Sequence, residues 1–168
     1  MRDTYSQVVV RATFLCLWAL AACARGGSEL HGWHAMQPEM ELSWGDGAGP
    51  QGQDAFALLY TIATGQNYAI ERAMPVRGLQ GQPRLRLWAR ATRVVYLAIV
   101  LVDDQGLEHE CTRTLLAGKW RELSFDEFRP PIQDWDQVVT VRLVNRLGSL
   151  GGQGPVSLKL AGELFEAP

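Results

Sequence analysis

The stretch Arg84–Phe125, RLRLWARATRVVYLAIVLVDDQGLEHECTRTLLAGKWRELSF, decides the fold. Its first part, Arg84–Ala91, alternates. Leu85, Leu87 and Ala89 fall on one side, and Arg84, Arg86, Trp88 and Arg90 on the other. That is the two-residue period of a half-buried strand. Val94–Val102 is apolar on both faces. Periodicity alone allows a helix there, but the β-branched residues and the turn that follows favour a buried central strand. Asp103-Asp104-Gln105-Gly106 reads as a hairpin turn, with Gly106 supplying the positive φ. Glu108–Leu116 returns as the partner strand. Gly118 reverses the chain again, and Trp120–Phe125 runs back until Arg129-Pro130-Pro131, where proline offers no ladder donor.

The same reading extends outward. Ala55–Thr64 is an apolar run rich in strand formers, Gly65-Gln66-Asn67 turns the chain, and Tyr68–Met74 pairs back. Leu30–Trp44 holds one or two short strands, and Val76–Pro83 is a loop. Val138–Val144 and Val156–Phe165 are two further strands, and Asn145–Pro155 between them is a Gly-rich loop. About eight short antiparallel strands and no long helix predict one all-β domain, a jelly-roll β-sandwich over residues 30–168. The 17 glycines suit its many turns, and the 168-residue length suits a single domain.

The N-terminus reads as an address. Ala12–Ala22 is a short apolar core behind Arg2 and Arg11, shorter than a membrane-spanning helix needs. It ends in Leu20-Ala21-Ala22-Cys23, which resembles the bacterial lipobox. The small residues before the cut fit a narrow peptidase cleft, and the cysteine thiolate accepts the lipid. The expectation is therefore a lipoprotein signal peptide over 1–22, lipidation at Cys23, and a flexible tether over 23–29. Each buried acyl CH₂ contributes about 0.8 kcal/mol to membrane attachment. The expected location is the extracytoplasmic side of a bacterial membrane. An ordinary secretory signal is the other reading. Processing would also leave Cys111 as the one free thiol, since Cys16 is removed and Cys23 acylated.

The formal net charge of −2 gives no electrostatic case for nucleic acid. The spacing of Cys16, Cys23 and Cys111 fits neither a zinc pattern nor a disulfide framework.

Four segments together resemble the galactose-binding-like jelly roll. They are Leu85–Thr92 followed by Val95–Glu110, then Gly118–Pro130, Asp134–Val144 and Gly154–Phe165. The pattern is similar to sandwiches of the carbohydrate-binding-module type and to the domain named after complex I intermediate-associated protein 30. That resemblance implies a binding rather than a catalytic role. It also implies a structural calcium site, for which Glu39, Glu41 and Glu163 are the acids at hand if the first and last strands are neighbours. The family's closing strand often carries an Asp pair, and Ala161-Gly162-Glu163 stands there instead. No other cofactor is implied.

Among candidate site residues, Trp88 with Arg86 and Arg90 forms the best local constellation. An aromatic face beside guanidinium groups can stack a sugar ring and hydrogen-bond its hydroxyls. The same set can anchor a protein interface, or Trp88 can simply pack beneath loops. Tyr60 and Tyr68, with Trp33 and Trp44, line an edge of the sandwich or belong to its core. Asp103, Asp104, Glu108 and Glu110 gather oxygen ligands around one hairpin, but lack the alternating spacing of an EF-hand loop. His31 and His34 have a metal-like spacing on no clear scaffold. His109 and Cys111 share a strand face without a third group to orient them. No catalytic set emerges, and no paired carboxylates suggest a hydrolase.

The expected function is a membrane-anchored, non-enzymatic binding lipoprotein for a carbohydrate or envelope glycan. The competing expectation is an accessory lipoprotein docked on a membrane protein complex. A concave surface with an exposed Trp88 separates the first from the second, which needs a flat apolar patch.

Overall fold

A computed structural model describes residues 29–30, 32–45, 48–50, 52–62, 66–74, 79, 84–146, 154–162 and 165–166. The expected signal peptide, Cys23 and all of the tether but Glu29 lie outside the described residues, as do His31 and Glu163. The strands are β1 (Glu29–Leu30), β2 (Trp33–Ala35), β3 (Glu41–Gly45), β4 (Ala55–Ile62), β5 (Tyr68–Ala73) and β6 (Arg84–Ala91). They continue with β7 (Val95–Asp103), β8 (Glu108–Leu115), β9 (Arg121–Phe125), β10 (Val138–Arg146), β11 (Gly154–Ala161) and β12 (Phe165–Glu166). A single 3₁₀ turn, Trp135–Gln137, is the one helical element among the described residues.

The strands form two antiparallel sheets packed face to face, so the protein is a β-sandwich. One sheet runs β1-β2-β5-β10-β7-β8. The other runs β12-β6-β11-β4-β3, with β9 on the free side of β6. The expected closing strand Val156–Phe165 is broken in two. Gly162 takes φ 89°, a conformation that a side chain disfavours, β11 ends at Ala161, and Phe165 of β12 pairs opposite Leu85.

The core lies between the sheets. β7 is its centre: Val95, Leu97, Ile99 and Leu101 point inward and are fully buried. Each such side chain contributes about 1.5–3 kcal/mol. From the other sheet, Leu85, Leu87 and Ala89 of β6 and Val156, Leu158 and Leu160 of β11 meet them. The alternation expected for β6 is thus realised from Leu85 to Ala91, with Arg86, Trp88 and Arg90 on the outer surface.

Candidate functional site

The outer face of the β6 sheet is built by alternation. Burying Leu85, Leu87, Ala89 and Ala91 forces Arg86, Trp88 and Arg90 outward; Arg86 and Trp88 are half-buried and Arg90 is exposed. Cross-strand register supplies their neighbours. Arg86 stands opposite Ser124 and Trp88 opposite Glu122 on β9. On the β11 side, Trp88 faces Ala161 and Arg90 faces Lys159. Ala161 is small, and a side chain at Gly162 would begin 3.9 Å from Cδ1 of Trp88, so that flank of the indole carries little bulk.

At the Arg90 end of β6 lies an open hollow of about 230 Å³, lined by Arg90, Ala91, Thr92, Ser157 and Lys159. It falls below the ~300–1,000 Å³ of cavities that enclose a small ligand. It suits a surface that a longer molecule lies across. Its floor is pinned: Thr92 N donates to Ser157 O at 3.0 Å, and Ser157 N donates to Oγ1 of Thr92 at 3.0 Å. Arg86, Arg90 and Lys159 have no ion-pair partner among the described residues. The cations of this face therefore keep their hydrogen-bonding capacity.

Tyr60 and Tyr68 require a correction. They lie between the sheets, 3% and 2% exposed, with rings stacked 4.8 Å apart. Tyr60 shares the inward face of β4 with Phe56 and Leu58, and Tyr68 shares that of β5 with Ile70. Neither ring reaches a ligand. Asn145 Nδ2 donates to the Tyr60 hydroxyl at 2.9 Å, and the Tyr68 hydroxyl donates to Thr61 O at 2.6 Å. Burial pushes the Tyr60 phenol above its ordinary value, outweighing the opposing Asn145 hydrogen bond. Trp33 is likewise in the core, under the guanidinium of Arg72 at 4.9 Å, whereas Trp44 is exposed on β3.

Two of the three acids of the calcium expectation fall within the described residues. β3, which carries Glu41, and β12 stand at opposite ends of their sheet's strand order. Glu39 and Glu41 are exposed, and Glu163 lies outside the described residues. Three of the four acids around the Asp103 hairpin, Asp103, Glu108 and Glu110, are engaged elsewhere. Oδ1 of Asp103 accepts from Gln105 N at 2.9 Å and Leu107 N at 2.8 Å. The Leu107 bond, more than any other interaction, holds its carboxyl below the usual range. His109 is buried, its Nδ1 2.8 Å from Pro130 O and its Nε2 3.7 Å from Asp103. Cys111 packs in the core.

The opposite outer face, on the β7 sheet, holds a network that strand-by-strand reading misses. Arg142 of β10 bonds Glu71 of β5 (Nε–Oε2 2.5 Å) and Glu108 of β8, and Arg146 of β10 bonds Glu110 of β8. Since β7 lies between β10 and β8, the last two pairs bridge across it. They explain why Ala98 and Val100 point outward yet are 0% and 2% exposed. Arg142 and Arg146 thus roof a small apolar layer of Ala69, Ala98, Val100, Val102 and Val144. The sequence signal was present in two strands at once, as Arg142-x-x-x-Arg146 and Glu108-x-Glu110, but only register joins them.

No protein-family model matches the chain, and its sequence matches no curated protein. Its fold does match solved structures. The family 11 carbohydrate-binding module of the cellulosomal cellulase Lic26A-Cel5E of Clostridium thermocellum is 13% identical, with a TM-score of 0.54 over 81% of this chain and 91% of that one. The family 11 module from Clostridium thermocellum in complex with a β-1,3-1,4-mixed-linked tetrasaccharide is 12% identical, with a TM-score of 0.51 over 82% and 92%. The agarase AgWH50C is 10% identical, with a TM-score of 0.59 over 82% of this chain but 22% of its own. At these identities the likeness establishes a shared sandwich architecture. The chain spans nearly the whole of the binding modules and about a fifth of the agarase.

Proposed function

We propose that this protein is a non-enzymatic carbohydrate-binding module, held to a bacterial membrane by a lipidated Cys23, that takes an envelope glycan on the outer face of the β6 sheet. The observation that carries the reading is the half-buried Trp88 between Arg86 and Arg90, both without acidic partners among the described residues, with Arg90 lining an open hollow. An indole face stacks against the apolar side of a pyranose, and unspent guanidinium donors bond its oxygens. The sandwich shared with binding modules supports the same role. Anchorage rests on the Leu20-Ala21-Ala22-Cys23 tetrad standing just ahead of β1.

Docking on a membrane complex draws less support. The exposed large apolar side chains among the described residues are Met36, Trp44, Leu59, Val94, Leu107 and Leu116. Val94 and Leu116 flank one end of the β7–β8 ladder and Leu107 sits at its other end, while Leu59 lies on the other sheet. Such scattered residues are ordinary surface.

A glycan array probed with detergent-solubilised full-length protein tests the reading, beside affinity purification from membranes. Array signal that Trp88→Ala abolishes supports it. A stoichiometric protein complex with no array signal removes it.

A further inference from the structure

We infer that the glycan is anionic, its sugar carboxylate held by Arg90 and Lys159 while Trp88 stacks the ring. This rests on the glycan-binding reading and adds the class of sugar. Arg90 and Lys159 are directly opposed in the β6–β11 register. Opposed residues on a sheet have Cβ atoms about 4.5–5.5 Å apart, and like charges there repel. On the other face of this protein each arginine of β10 has a carboxylate partner. There Arg142 has both Glu71 and Glu108, and Arg146 has Glu110.

On the β6 face neither Arg90 nor Lys159 has an ion-pair partner among the described residues. Glu122 is opposite Trp88 and diagonal to Arg90, yet forms no ion pair with it. Glu41 is on β3, three strands from β6. The two cations instead line the same hollow, together with Thr92 and Ser157. The missing counter-charge is what a ligand carboxylate supplies. Arg90 offers the planar fork that meets a carboxylate with two parallel bonds, and Lys159 adds a mobile point charge. Trp88 and Arg90 are two residues apart on one face, about 6.8 Å along the strand. A sugar stacked on the indole therefore brings its own or its neighbour's carboxylate over the cationic pair.

The test is affinity electrophoresis of full-length protein in gels containing polygalacturonate, its fully methyl-esterified form, dextran sulfate or dextran. The expected result is retardation by polygalacturonate that weakens steeply with salt, and at least tenfold weaker retardation by the methyl ester. R90Q/K159Q is expected to lose at least tenfold in affinity for polygalacturonate. Equal retardation by polygalacturonate and its methyl ester, or an unchanged R90Q/K159Q, would overturn the inference while leaving glycan binding intact. Stronger retardation by dextran sulfate that the same variant abolishes would overturn the carboxylate assignment in favour of a sulfate. Retardation by none of the four, with a blank glycan array, would overturn glycan binding itself.

Discussion

Arg90 and Lys159 face each other across β6 and β11, and neither forms an ion pair among the described residues. Their repulsion is unrelieved in the free protein, so removing one charge should stabilise the fold. K159Q is expected to raise the melting temperature by about 1–3 °C at low salt, corresponding to a few tenths of a kcal/mol. Thermal unfolding at low and high ionic strength checks this. The gain should shrink as salt screens the pair.

Tyr60 and Asn145 make the opposite kind of pair, buried and mutually satisfied. Y60F leaves Nδ2 of Asn145 without that acceptor, at a cost of about 1–3 kcal/mol in denaturant unfolding. The variant should also change the alkaline limb. Tyr60 has a phenol pKa raised above its unfolded value of about 10. Its contribution is complete below that pH and lost as pH rises beyond it. The stability of Y60F should therefore fall less steeply above pH 10 than that of the wild type.

Glu110 sets the acid limb. Burial pushes its carboxyl up, but hydrogen bonds from Arg146 and Thr112 and the Arg146 charge together hold it below its ordinary value. A depressed folded value stabilises above the unfolded pKa of about 4.3 and is lost as pH falls through the folded one. Asp103, also depressed, acts in the same direction. E110Q should unfold with a shallower pH dependence below pH 4.5, measured by circular dichroism in an acid titration.

The layer beneath the arginine roof gives a packing prediction. Ala98 is outward-facing but fully covered, beneath the span of Arg146 to Glu110. A98L forces bulk into that space and should cost about 1–3 kcal/mol by overpacking. A conventional exposed strand position would tolerate the change.

The fold was legible because its central strands announce themselves. The period-2 pattern of Arg84–Ala91 and the doubly apolar Val94–Val102 match β6 and β7 to within a residue. The outward set Arg86, Trp88 and Arg90 was legible for the same reason. Lys159 was not, because it joins the hollow through register with a strand some seventy residues away in the chain. Tyr60 and Tyr68 were misplaced because a buried tyrosine and a ligand-facing one look alike until the partner of the hydroxyl is known. For Tyr60 that partner is Asn145, taken in the sequence for the start of a loop but placed by the structure inside β10. The arginine roof spans β5, β10, β7 and β8, so no single segment displays it.

The most direct measurement of the central claim is the binding isotherm of full-length protein for the strongest glycan on the array, compared among wild type, W88A and Y96A. Tyr96 lies on the outer face of the other sheet, opposite Arg146. The account predicts at least a tenfold loss of affinity for W88A with a nearly unchanged melting temperature, and no change for Y96A. Unchanged affinity in W88A, with loss in Y96A, would contradict it and place binding on the arginine-roofed face.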